Sequence, residues 1–347
     1  MTRVSHFAKT NLLHFFAKSK FAVSALTLRL LGVLKIATKL HCRLCASLSS
    51  SIGGSPLAGK SRHGPLNPLP QFLNSKKFLY LCRKFGKMII KEVAEALERF
   101  APLPLQEGYD NAGLQVGLTA AEASGVLLCL DVTEEVIAEA VEKGCNLVVA
   151  HHPLLFRGLK RVADDTLVER CVRRAILSGV TLYAAHTNLD NAAGGVNYRM
   201  AEQLGLVDVD FLQPAPDGRS GSGVVGELPE PEEPLHFLRR VKEAFGVECL
   251  LHNAGPQRPV RRVALCGGAG EFLMDRAVSV GADVYLTGEI GYHRFFGYED
   301  KLWLAALGHY QSERYTIDLM ADLLRREFPD LRIEQTACCT NPLHYMC

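Results

Sequence analysis

The chain has 347 residues, 48% of them apolar and 22% charged, the balance of an ordinary globular protein whose length predicts one large or two interlocked domains. Its 11 cysteines are odd in number and mostly sit inside apolar runs such as Leu127-Leu128-Cys129-Leu130, which excludes a disulfide framework and predicts reduced, buried thiols in a cytoplasmic protein. The net charge of +2 hides a divide: residues 1–91 carry 16 of the 39 Lys and Arg and no acidic residue, so the chain is +16 before Glu92 and −14 from there on.

Three readings fit the acid-free leader, residues 1–87. It has the composition of a transit peptide, which would make the protein mitochondrial. It also suits a basic arm for nucleic acid. The third reading, favoured here because the leader is longer than targeting segments usually are, is that the working protein starts at Met88. Leu26–Leu34 is too short to span a bilayer and carries Arg29. Cys42-x-x-Cys45 is half a zinc ribbon without its second half, and the Ser, Gly and Pro content around residues 49–70 predicts disorder.

From Met88 the pattern turns α/β. Val93–Phe100 predicts a short amphipathic helix stopped by Pro102 and Pro104. Val126–Leu130, Leu147–Ala150 and Val180–Ala185 are β-branched apolar runs that predict buried strands, with a helix over Glu134–Lys143. Strand, helix, strand at this spacing is a βαβ unit. The unit recurs 137 positions later, as Val263–Cys266, Ala277-Val278, Gly281 and Val284–Thr287. A third strand in each half then leads into His186-x-x-x-Asp190 and His309-x-x-x-Glu313. The expected architecture is therefore α/β, with duplicated βαβ half-folds around mixed or parallel sheets, residues 88–212 forming one half and 213–347 the other.

Polar residues follow nearly every predicted strand: Asp131, His151-His152, His186, Gly267-Gly268, Glu289 and His309. Open α/β sheets bind ligands beyond the carboxyl ends of their strands, so these groups are expected at one rim. His151 and His152 would diverge inside a strand, but at a strand end before Pro153 they can splay towards two different ions. If Gly308 makes a strand-to-helix turn, His309 and Glu313 share one helical face, and His186 with Asp190 repeats that spacing. Each motif alone has a plain structural reading, as satisfied rim histidines or helix-surface pairs. Together they favour a binuclear centre of nitrogen and oxygen donors, suited to Zn, Mn, Fe, Co or Ni. His186, Glu289 and His293 are candidates for supporting the ligands. Gly267-Gly268-Ala269-Gly270 is either a phosphate cradle or a tight turn, and Arg157 and Lys160 lie in a basic loop able to contact an anion. No serine or cysteine nucleophile signature and no complete nucleic-acid motif is present.

Tyr109-Asp-Asn-Ala-Gly-Leu-Gln-Val-Gly117, His151-His-Pro-Leu-Leu-Phe-Arg-Gly-Leu-Lys160, His186-Thr-Asn-Leu-Asp190, Thr287-Gly-Glu289 and Gly308-His-Tyr-Gln-Ser-Glu313 closely resemble, in order, the Nif-three-like family, or GTP cyclohydrolase 1 type 2 homologues. The resemblance runs from about Met88 to Cys347. It implies a metal site between the halves, two divalent cations per chain, a homohexameric ring, and metal-ligand roles for His151, His152, Asp190, His309 and Glu313, with Glu313 bridging and His186 nearby. Tyr109 stands where the family usually has Trp, and the stretch between Gly205 and Arg262 is too short for the inserted domain of longer members. The expected function is a metal-dependent hydrolase acting on a nucleotide or phosphoester, because five ligands are too few to saturate two ions. The alternative is a non-enzymatic metal-binding ring acting as metal chaperone, sensor or protein partner.

Overall fold

The computed structural model describes residues 88–216 and 218–346. The expectations for residues 1–87, including Leu26–Leu34 and the Cys42/Cys45 pair, lie outside the described residues. The first region holds α1 (Ile90–Phe100), β1 (Gly113–Val116), β2 (Val126–Cys129), α2 (Glu134–Glu142), β3 (Leu147–Ala150), α3 (Leu167–Ser178), β4 (Thr181–Ala184) and the single turn α4 (Thr187–Asp190). There follow α5 (Val196–Gln203), the hairpin of β5 (Val207–Pro214) and β6 (Gly221–Glu232), α6 (Pro234–Phe245), β7 (Leu251–His252) and β8 (Val260–Cys266). The chain closes with α7 (Met274–Ser279), β9 (Val284–Thr287), β10 (Trp303–Ala306), α8 (His309–Glu313), α9 (Thr316–Glu327) and β11 (Ile333–Gln335).

Two mixed sheets result, in the orders β1-β4-β3-β2-β11 and β5-β6-β8-β9-β10-β7. In the parallel centres of the sheets, β2, β3, β4, β9 and β10 are buried along their whole length, which is why they read as mostly apolar runs. Local signals set the helix ends: Thr133 caps α2, Thr166 and Glu169 form a capping box on α3, and Gly179 closes α3 in the left-handed region. Among the described residues no helix is long and apolar enough to cross a membrane, and Cys129, Cys145, Cys171 and Cys266 are buried free thiols.

The duplication is visible in the strand register. Val126 to Cys129 pair with Leu147 to Ala150, and 137 positions on, Val263 to Cys266 pair with Val284 to Thr287 in the same parallel register. The helices between them also correspond, since Glu134–Glu142 shifts onto the 3-10 turn Glu271–Leu273 plus α7. In both units the carboxyl ends of three parallel strands deliver loops to one rim.

Two features cross the expected division into 88–212 and 213–347. β5 straddles it, pairing with β6 as an outer hairpin of the second sheet. After α8 the chain returns to the first sheet, where α9 packs with α1 and β11 pairs in parallel with β2. A three-residue strand such as β11 carries too short a pattern to reveal its sheet.

Beyond β11 the chain is fastened to α2. Glu139 accepts hydrogen bonds from the Ala337 amide (2.8 Å) and the Thr336 hydroxyl, and pairs with Lys143 at 2.7 Å. Burial would raise its carboxyl, but these donors outweigh it and hold the pKa down to about 2. With the folded value below the ordinary 4.5, the contribution to stability is complete above that pH and disappears as pH falls towards 2. Glu139→Gln is expected to flatten the acid limb of stability in that window, read by urea unfolding against pH. An unchanged limb would mean that these bonds do not hold the segment.

Candidate metal centre

His151 and His152 extend β3, their amides donating to Cys129 and Leu130 carbonyls at 3.2 and 2.9 Å. Their rings nonetheless lie 4.9 Å apart and tilted by 45°, splayed at the strand end. His186 precedes α4, and its ring stands edge-on to both, at 5.3 and 5.5 Å. From the second sheet, Gly308 (φ 94°) turns the chain out of β10 into α8, placing His309 and Glu313 on one side of that turn.

Glu313 is the centre of the cluster and is 3% exposed. Its Oε2 lies 2.9 Å from His152 Nε2 and 3.2 Å from His309 Nε2. Its Oε1 lies 3.7 Å from His151 Nε2, which is also 3.7 Å from Asp190 Oδ1. The ring nitrogens turned away from Glu313 all have acceptors. His151 Nδ1 is 2.8 Å from the Ala185 carbonyl, His152 Nδ1 2.7 Å from Asp131, and His309 Nδ1 3.0 Å from Glu289. His186 Nδ1 is likewise 2.7 Å from Asp110. With Nδ1–H donating to these acceptors, Nε2 of His151, His152 and His309 is the nitrogen that faces inward and would offer its lone pair to a cation in place of a proton, the arrangement that orients imidazole as a metal ligand.

Electrostatics follow from this packing. Burial works against a charged His152 ring, but Asp131 and Glu313 outweigh it and raise its pKa to about 10. The bond to Glu313 raises His309 to about 9. Burial would raise Glu313, yet the three imidazoles hold it well below the usual carboxylate range, whereas burial pushes Asp190 up. Burial would raise Asp110 too, but His186 and Thr187 bring it down to about 2. The centre is built to hold positive charge.

Three groups of side chains offer ligand atoms within 4.8 Å of one another: His151, Asp190 and Glu313; His152, His309 and Glu313; and His151, His152 and His186. The first group supplies a direct test of fit. His151 Nε2 and Asp190 Oδ1 are buried without any hydrogen-bond partner, which native proteins rarely tolerate. Their 3.7 Å spacing is close to the roughly 3.4 Å expected between ligand atoms around a tetrahedral ion with bonds of about 2.1 Å. The residues fit a divalent cation. Cys266 lines the adjoining cavity, where burial and the neighbouring Asp190 and Glu313 push its thiol up.

The sequence pattern of the Duf34/NIF3 (NGG1p interacting factor 3) family matches residues 88–342. The chain belongs to this family. It is 36% identical over 228 residues to a Clostridium perfringens protein named GTP cyclohydrolase 1 type 2 homolog, covering 65% of this chain and 87% of that one. A Lactococcus lactis protein of the same name is 34% identical over 264 residues, covering 74% of this chain and 99% of its own. A crystal structure of a Staphylococcus aureus protein superposes with a TM-score of 0.69 at 25% identity, over 75% of this chain and all of that one.

In this NIF3-family chain the structure gathers His151, His152, Asp190, His309, Glu313 and His186 in one cluster, with Glu289 directly behind His309. Three expectations are corrected. His293 lies exposed in the turn Tyr292–Phe295, its ring against Tyr292 and Phe296, away from the cluster. Gly267 and Gly268 form no phosphate cradle, because their amides already donate to Asn197 (2.9 Å) and Ser312 (3.1 Å). Gly268 instead gives room: a Cβ on it would collide with Glu313 Oε1. Arg157 and Lys160 are exposed on the loop beyond Phe156 and do not line the cavity. The acceptors Asp110 and Ala185 O were not singled out from sequence as parts of the centre. Asp110 was visible only within the Tyr109–Gly117 motif, and a backbone carbonyl has no signature at all.

Gly288 sits where loops from both strands converge. A Cβ there would lie 2.6 Å from the Gly268 carbonyl oxygen, 2.8 Å from Ser312 Oγ and 3.0 Å from His309 Cα. Gly288→Ala is expected to cost about 1–3 kcal/mol by overpacking, measured by urea unfolding. A neutral result would show that these loops part easily.

Proposed function

We propose that the chain is a dinuclear metal-dependent hydrolase acting on a nucleotide. The observation that carries this reading is the division of Glu313, one carboxylate oxygen turned towards His151 and the other towards His152 and His309. His151, Asp190 and Glu313 would hold one divalent cation, and His152, His309 and Glu313 the other, with His186 beside both. The nitrogen and oxygen donors suit Zn, Mn, Fe, Co or Ni. Such a pair, when bound, supplies Lewis acidity and makes water an effective nucleophile near neutral pH.

The chain's own residues do the rest. Asp131, Glu289 and the Ala185 carbonyl fix the rings so that no reorganisation is needed at the moment of reaction. A cavity of about 230 Å³ opens on Glu313 and His309 and is lined by Tyr109, Phe156 and Phe272, large aromatics with exposed faces. Aromatic faces of this kind seat a planar ring and displace water, and base stacking contributes about 1–3 kcal/mol. The name GTP cyclohydrolase 1 type 2 homolog borne by the relatives points to GTP as the first substrate to assay.

Elemental analysis of the purified protein is expected to give about two transition-metal equivalents per chain, halved or lost in Glu313→Gln. Metal-dependent GTP turnover should fall in that variant by more than the roughly 10–100-fold that changes behind the ligands cost. A metal-free wild type that reconstitution does not load, or equal turnover in both proteins, would overturn the proposal. A second reading, a metal-loaded chaperone or sensor acting through protein contacts, draws on the family's description as an interacting factor. Full metal loading with no turnover of any nucleotide would favour it.

The proposal includes the homohexamer. Apolar side chains stand in solvent on α3, Ile176 at 59% and Leu177 at 81% exposure, and an interface between chains would cover them. Light scattering is expected to give the mass of six chains, and a monomeric mass would remove the ring from the proposal.

A further inference from the structure

The segment after β11 touches the support of His152, which shares a ligand group with His309 and Glu313, and not the supports of His151 or His186. Its first residues are anchored away from the centre, by Glu139 and by the Thr336 amide donating to the Leu128 carbonyl at 2.9 Å. Four residues on, the Thr340 hydroxyl donates to Asp131 Oδ2 at 2.8 Å. The other oxygen of that carboxylate holds His152 Nδ1 at 2.7 Å. Near the end of the segment, Tyr345 meets Gln311 through its hydroxyl at 3.3–3.4 Å, and Gln311 is a buried residue of α8 between His309 and Glu313. The segment thus reaches His152 through Asp131 from one side and the His309–Glu313 turn from the other.

We infer that residues 336–345 are a strap that sets the outer ion position, formed by His152, His309 and Glu313, and that Thr340 is its positioning residue, acting through Asp131. The inference rests on the metal-centre reading above. Its physical basis is the softness of the bond that turns a carboxylate: an aspartate χ2 has broad, shallow wells, so one partner does not fix its plane. With His152 on Oδ1 and Thr340 on Oδ2, the plane is fixed at both ends and carries the imidazole with it. His151, which belongs to the other ion's group, and the neighbouring His186 have no such dependence. His151 is held by the Ala185 backbone carbonyl, which the β-sheet itself fixes, and His186 by Asp110, to which the Thr187 amide donates at 3.1 Å. Cutting the strap should loosen one ion and spare the other.

The test uses the full-length, metal-free protein titrated with Co(II), following the visible absorption of each binding step in competition with a chelator. Wild type is expected to bind two ions. Thr340→Val, which keeps the shape and removes the donor, should weaken one step about 10-fold, the lower end of the effect of altering a ligand's support, and leave the other unchanged. Thr340→Ser should restore it, and thermal unfolding of the three metal-free proteins should coincide. Two unaltered steps in Thr340→Val, equal weakening of both, or no rescue by Ser would overturn the strap while leaving the metal centre standing. A wild type that binds no Co(II) would overturn the metal centre and the strap together.

Discussion

Everything around the centre is arranged to make one buried carboxylate tolerable. A charged group removed from water costs several kcal/mol unless it is paired and hydrogen-bonded. Glu313, 3% exposed, meets that condition with imidazoles delivered by both sheets: His151 and His152 from the end of β3, His309 from its own turn. Each imidazole in turn needs its far nitrogen satisfied, which brings in the Ala185 carbonyl after β4, Asp131 after β2 and Glu289 after β9. The parallel strands are therefore tied across the centre as well as along their edges. The same requirement explains the glycine at 268, since any side chain there would occupy the place of Glu313 Oε1.

Much of this was legible in the sequence because it depends on short-range pattern. The strands 126–129, 147–150 and 284–287 are apolar runs bounded by polar residues, and a strand buried on both faces can hardly look otherwise. The ligating residues stood out because ionisable side chains directly after such runs gather at one rim. What could not be read was partnership. β11 is three residues long, and its place beside β2 rests on α9 folding back onto α1. Gly267 and Gly268 resembled an anion cradle because a glycine run shows that a backbone is free to bend, not that its amides are free to bind; here Asn197 and Ser312 take them. His293 failed for a related reason, since proximity in sequence to Glu289 says nothing about which way the 3-10 turn at Tyr292–Phe295 faces.

The duplication also shows how a repeated fold yields an unsymmetrical site. Under the 137-residue shift, Asp131 corresponds to Gly268, His151 to Gly288 and His152 to Glu289. The first unit thus keeps an acceptor and two imidazoles where the second has two glycines and an acceptor. The two glycines are where the second unit leaves space: Glu313 Oε1 presses against Gly268, and Ser312 with the Gly268 carbonyl presses against Gly288. Had both units kept side chains at all three positions, the rim would hold twice the number of rings, with no room for the carboxylate between them. Had both kept glycines, Glu313 would be buried with His309 as its one remaining imidazole partner of the three. A carboxylate shared between two groups of imidazoles therefore requires the repeats to differ at these positions while their strand registers stay the same, as they do over Val126–Cys129 with Leu147–Ala150 and Val263–Cys266 with Val284–Thr287.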